Sequence, residues 1–142
     1  MEKIIKHAKT FTCNYIERED RLLLTLNYED PNERTDFWIT RAFLLKLVPY
    51  FFDYMLEDIS LESNSELTSP TDNTTYTLTF TQPILLDSVD ITPMEDGNVH
   101  FVLKNLEHNV YAVSTLSREL FDKVIKLILA AAPQFSWGIN IK

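Results

Sequence analysis

Residues 40–52 read TRAFLLKLVPYFF and residues 117–129 read SRELFDKVIKLIL, and the reading of these two stretches decides the fold. Each opens on a hydroxyl side chain, Thr40 or Ser117, able to accept from the free amides of a first helical turn, and each continues with an arginine and an apolar series at helical spacing. Laid over one another at an offset of 77 residues (40 to 117), Phe43, Leu44, Leu47, Val48 and Phe51 fall on Leu120, Phe121, Val124, Ile125 and Ile128. The same offset carries Leu22, Leu24 and Leu26 onto Val99, Phe101 and Leu103 without a gap. Alternation at 22, 24 and 26 is a strand with one buried face, because successive side chains of a strand point to opposite sides.

Two segments that each run through short strands into a capped helix predict an α+β fold with an internal duplication. Each helix then buries its apolar stripe on its own antiparallel sheet or on its twin's. The predicted plan is βββα followed by ββββα with a C-terminal strand, packed into one domain over residues 1–142. The halves are residues 1–58 and 76–142, joined by a polar, acidic linker over 59–75.

Outward from the helices, Phe11 to Ile16 and Arg21 to Asn27 alternate around a charged tip, Glu17-Arg18-Glu19-Asp20, and read as a hairpin. Glu29-Asp30-Pro31-Asn32-Glu33 is turn chemistry, and Phe37 to Ile39 follows as a third strand. The first helix is expected from Arg41 to about Glu57. Leu44, Val48, Phe51 and Met55 form one stripe, and Leu45, Leu47, Phe52 and Leu56 widen the apolar surface beyond a single face. Pro49 removes one ladder hydrogen bond, which predicts a kink or break near Val48. In the second half, strands are expected over Tyr76 to Thr81, Leu85 to Thr92, Val99 to Lys104 and Val110 to Ser114, as a meander with a strong turn at Glu95-Asp96-Gly97-Asn98. The helix Arg118 to Ala131 stops at Pro133, and the alternation of Phe135, Trp137, Ile139 and Ile141 suggests a last strand.

Composition narrows the function classes. The hydrophobic fraction of 45%, with 9 Phe, 6 Tyr and 2 Trp, is too high for a disordered chain. Two glycines, Gly97 and Gly138, cannot make a Gly-rich phosphate loop, so the common nucleotide-binding signatures are excluded. A net charge of −8 opposes binding to polyanions and anionic membranes at long range. The charge is uneven: Lys3, Lys6, His7 and Lys9 are basic, whereas Asp53, Glu57, Asp58, Glu62, Glu66 and Asp72 form an acidic run without Lys or Arg. One cysteine, Cys13, permits neither an intrachain disulfide nor a cysteine-rich zinc site. No signal-like or membrane-spanning apolar run is present, which leads to an expectation of a reducing, cytoplasmic setting, in which the sequon Asn73-Thr74-Thr75 is a chance match.

No catalytic motif is legible, and no cofactor or metal is implied. His7, His100 and His108 lack metal-ligand spacing. The paired carboxylates sit in hydrated turns, and Cys13 reads as a structural thiol. Arg41 and Arg118 stand at equivalent helix starts, where a cation opposes the helix dipole. They are therefore candidate contacts for a partner's carboxylates or phosphates, with structural hydrogen bonding as the other reading. Trp38, Phe52 and Trp137 are the aromatic candidates for an interface.

The repeated sheet-then-helix pattern carried by these anchors resembles duplicated single-stranded nucleic-acid-binding folds of the PUR and whirly kind. The resemblance is one of topology: these strands are not rich in Lys and Arg with interleaved aromatics. The leading expectation is a non-enzymatic protein-interaction or assembly subunit that associates with a protein partner or with itself. One alternative is a single-stranded nucleic-acid binder using Lys3, Lys6, Lys9, Arg18, Arg21 and Arg41, disfavoured by the net charge. The other is a small-ligand site between the halves built on Arg41 and Arg118.

Overall fold

The computed structural model describes residues 2–55 and 82–133. In chain order the elements are β1 (Ile4–His7), β2 (Phe11–Ile16), β3 (Arg21–Leu26), β4 (Thr35–Ile39), α1 (Arg41–Phe52), β5 (Ile84–Leu85), β6 (Ser88–Pro93), β7 (Val99–Asn105), β8 (Val110–Leu116) and α2 (Arg118–Ala131). They build an α+β fold of two four-stranded sheets, ordered β2-β3-β4-β5 and β1-β8-β7-β6, with one helix after each run of strands.

The spacing of 77 residues survives as hydrogen-bond register. In the β3–β4 pair Leu22 faces Ile39, Leu24 faces Phe37 and Leu26 faces Thr35. In the β7–β8 pair Val99 faces Leu116, Phe101 faces Ser114 and Leu103 faces Ala112, each 77 residues further on. A one-residue slip would turn every one of these side chains to the opposite face, so the match reflects the same burial requirement twice. Leu22, Leu24, Leu26, Val99, Phe101 and Leu103 are all buried in one continuous core with Leu44, Phe51, Phe121, Val124, Ile125 and Ile128. Both predicted caps are made: Thr40 Oγ1 accepts from the Phe43 amide at 3.2 Å and Ser117 Oγ from the Leu120 amide at 3.1 Å.

The halves are interlaced by the first described strand of each. β1 leaves its own half to pair in parallel with β8, and β5 crosses the other way to pair in parallel with β4. Two buried asparagines, Asn27 and Asn105, hold these crossings. Asn27 Nδ2 donates to the His7 carbonyl, and Asn105 Nδ2 donates to the Leu85 carbonyl, at 3.0 and 2.8 Å. Asn27 also donates to the Glu33 carbonyl and accepts from the amides of Lys9 and Thr10. It sits at φ 56°, a left-handed conformation that asparagine tolerates better than most residues. An amide that both donates and accepts can satisfy both strands of a crossing, which an apolar side chain cannot.

Three expectations need correction. β1 adds a fourth strand to the first half, giving ββββα where the sequence suggested βββα. Its alternation is masked because Ile4 and Ile5 lie 47% and 50% exposed at a sheet edge. The run from Leu85 to Thr92 is two strands in different sheets: the Leu86 amide donates to Trp38, and the next amide, of Asp87, donates to Lys104. The first helix ends at Phe52, where Asp53 and Tyr54 turn. It runs through Pro49 without a break, since a proline in the last turn removes a single bond. Of the two placements open to each helix, α2 takes the second: it packs against β2, a strand of the other half's sheet, and so lies on its twin's sheet. The linker over 59–75, the strand expected at Tyr76 to Thr81 and the C-terminal strand fall outside the described residues.

Candidate docking groove

Interlacing gives each helix an equivalent neighbour: α2 lies by β2, and α1 by β6. In the first pair the inward side chains of the edge strand, Phe11 and Cys13, are buried. Their counterparts, located by the facing residues Leu103 and Phe101, are Val89 and Ile91, and both are only half-buried. The helices differ in the same sense. α2 packs against β2, whereas α1 approaches no described strand to that extent. Between α1 and β6 lies an open groove of about 550 Å³, lined by Phe43, Lys46, Leu47 and Tyr50 on the helix side and by residues 87–92 on the strand side.

Bulk distinguishes the helices where they face the strand. Phe43 and Tyr50 of α1 stand where α2 has Leu120 and Leu127. The apolar surface of α1 that was too wide for one face is accounted for in part: Leu44, Leu47 and Phe51 enter the core, while Leu45, Tyr50 and Phe52 remain 40%, 62% and 42% exposed. On the strand, Asp87 accepts from the Leu106 amide and Asp90 pairs with Lys104 at 2.7 Å. Lys46, on the helix side, carries the positive charge of the lining. The groove thus has an apolar floor, a mixed rim and, in β6, an edge with no further described strand beside it.

The other residues singled out in the sequence do not converge. Arg118 places its guanidinium 5.4 Å from the centre of the Tyr54 ring and donates to the Tyr54 carbonyl at 3.3 Å, tying the start of α2 to the end of α1. Tyr54 meets Phe121 edge-on at 5.4 Å, and Phe121 in turn meets Phe101 at 4.9 Å. Arg41 is exposed, and the position equivalent to Tyr54 is Ala131, which offers it no ring. Phe52 is exposed at the end of α1. Trp38 is half-buried with the Arg21 guanidinium 4.2 Å from its ring centre. Trp137 lies outside the described residues.

A stacking platform for bases would present open rings. Trp38 is already covered by Arg21, and Tyr111 lies under the ammonium groups of Lys3 and Lys104, 4.7 and 5.7 Å from its centre. His100 meets Thr115 and His108 meets Asn105. Among the described residues, no group of three or more His, Cys, Asp or Glu side chains is placed to hold a metal ion. Cys13 is buried, and burial pushes its thiol from 9.0 up to about 12, which keeps it protonated and unreactive at neutral pH.

A second cavity, of about 480 Å³, opens at the first crossing between residues 7–10 and the loop after β3. It is lined by His7, Lys9, Thr10, Asn27, Glu29, Asp30 and Glu33, but Asn27 and the Glu33 carboxylate are already bonded to backbone amides there. The groove was not foreseen from the sequence. Its signal, once known, is the pair of rings at 43 and 50 opposite leucines at 120 and 127.

No family model, curated protein or solved structure matches the chain. Among the described residues, no helix is long and apolar enough to cross a membrane.

Proposed function

We propose that the protein is a non-enzymatic interaction module and that the groove between α1 and β6 is where it takes a segment of a protein partner. One observation carries this reading: two equivalent helix–strand pairs share core anchors and the register of their central strands, yet one is closed on itself and the other leaves Val89 and Ile91 half-buried and Tyr50 exposed. Apolar surface exposed beside a strand edge is stabilised by covering it, and a partner segment does so without rearranging the core. The net charge of −8 favours a basic partner, because a field of that sign steers cations to the surface and repels polyanions.

The test is site-directed photo-crosslinking in extract of the native cell, with the photoreactive residue at Lys46 in the groove or at its counterpart Lys123 on α2. The expected result is a discrete protein adduct from position 46, absent from position 123 and lost when Ile91→Glu charges the floor. Equal adducts from both positions, or none from position 46, would remove the proposal.

A further inference from the structure

Resting on that reading of the groove, we infer that the partner is bound by strand addition: an extended segment, apolar residues alternating with Lys or Arg, pairs its backbone with the outer edge of β6. The phase of the β6–β7 ladder supplies the first argument. The Met94 amide donates to the Asn98 carbonyl, which makes residues 94 and 98 a hydrogen-bonded pair. Antiparallel ladders alternate bonded and non-bonded pairs. Ser88, Asp90 and Thr92 therefore turn their backbone groups inward to Lys104, Val102 and His100, and Val89, Ile91 and Pro93 turn theirs outward. Asp87 donates to Lys104 as well, so two residues of the edge strand oppose one of its neighbour, a bulge that fixes this phase.

Among the described residues no strand pairs with this outer edge, which offers amide donors at Val89 and Ile91 and carbonyl acceptors at Val89, Ile91 and Pro93. Proline contributes no donor, so pairing stops there.

The side chains supply the second argument. An added strand places alternate residues on the same side as Val89 and Ile91, beneath Phe43, Leu47 and Tyr50, where apolar groups fit. The remaining residues fall on the side of Ser88, Asp90 and Thr92. There Asp90 is 56% exposed although bonded to Lys104, and a cross-strand cation beside it is favourable. Together with the overall negative charge this selects a period-two pattern of apolar and basic residues over an apolar helix, whose contacts would recur every three or four positions.

The probe is a synthetic peptide of sequence KVKVKVK with blocked termini, titrated into the full chain while backbone amide signals are followed by NMR. Expected are shifts at Val89 and Ile91, with slowed amide exchange at both. Affinity should fall by about tenfold or more when alternate peptide nitrogens are methylated and again when Lys is replaced by Glu, each tenfold step being about 1.4 kcal/mol. Binding that ignores N-methylation, or no binding of KVKVKVK at all, would overturn strand addition. Crosslinking from position 46 would still stand or fall on its own, so the two failures are distinguishable. Ile91→Glu serves as the groove control, with retention of the helical circular-dichroism signal as the check that it folds.

Discussion

The pair α2–β2 and the pair α1–β6 are the same construction carried out twice with different results. Both begin with a capped helix and an apolar central strand paired in the same register with the strand that follows it, and both set a helix beside an edge strand. In the first, Phe11 and Cys13 vanish beneath α2; in the second, Val89 and Ile91 stay half-open beneath α1. A repeated pattern thus fixes which elements meet, while a few side chains at the facing positions set how closely. The seams differ on both sides, with Phe43 and Tyr50 where α2 has Leu120 and Leu127 and with Val89 and Ile91 where β2 has Phe11 and Cys13, and interior packing responds to such changes in volume.

The strongest way to break this comparison is to truncate the edge strands one at a time. Phe11→Ala removes a side chain that is 3% exposed and leaves a cavity in the closed seam, with an expected loss of about 3–5 kcal/mol in denaturant unfolding. Ile91→Ala, at a half-covered position, is expected to cost about 1 kcal/mol, well below the usual range for a fully buried isoleucine. Equal losses at both positions would mean that the α1–β6 seam is closed in solution.

Next in size are the crossings. Asn27→Ala removes the side-chain donor to the His7 and Glu33 carbonyls and the acceptor of the Lys9 amide, and puts alanine at a left-handed φ, so thermal or denaturant unfolding should register a loss of about 2–4 kcal/mol. Asn105→Ala breaks the bond to the Leu85 carbonyl and the acceptor contact with the His108 amide, and about 1–3 kcal/mol is expected. The comparison sharpens if Asn27 proves the costlier, because the first crossing relies on it for more partners.

How much of this was legible in the sequence follows from which interactions are local. The caps at Thr40 and Ser117, the hairpin tip at 17–20 and the alternation of Leu22, Leu24 and Leu26 are decided by neighbours within a few residues, and each formed where the pattern placed it. The crossing strands were invisible for a physical reason. Parallel pairing of β1 with β8 joins residues more than a hundred positions apart, and a four-residue edge strand exposed on both faces carries no periodic signal. The split at Leu86–Asp87 was hidden too, since both amides bond as a continuous strand would, but to different sheets. Of the candidate contacts, Arg118 was recognised as unusual by its place at a helix start, but the ring and carbonyl of Tyr54 that hold it come from the other half. The groove is legible only after the fold shows that positions 43 and 50 face an edge strand.

Alkaline titration separates the buried from the open seam by chemistry. The Cys13 thiol is raised from 9.0 to about 12 by burial beneath α2. Because the folded value lies above the unfolded one, the contribution of the neutral thiol is complete below pH 9 and is lost as pH rises toward 12. Wild-type unfolding free energy should therefore fall by about 1.4 kcal/mol per pH unit across that window relative to Cys13→Ala, which lacks the group. Tyr15 is raised as well, first through its hydrogen bond to Asp20, but it is present in both proteins and cancels in the difference. A thiol alkylated at pH 8 in the folded protein as fast as in denaturant would show that β2 is no better covered than β6.

The smallest expected effect bears most directly on function. Tyr50 is 62% exposed at the mouth of the groove, and its counterpart on α2 is Leu127. Replacing it by that leucine deletes a polar tip already in water and leaves the inner stripe of Leu44, Leu47 and Phe51 intact, so stability should move by no more than ~0.5 kcal/mol. Binding should respond differently. An aromatic side chain at a groove mouth contributes contact area at low entropic cost, and a leucine covers less of an incoming strand. Tyr50→Leu is therefore expected to weaken the KVKVKVK peptide about three- to tenfold, roughly 0.6–1.4 kcal/mol, while the unfolding midpoint hardly changes. A variant that unfolds markedly earlier would make Tyr50 a core residue of α1, and one that binds the peptide as tightly as the native protein would take the ring out of the docking surface.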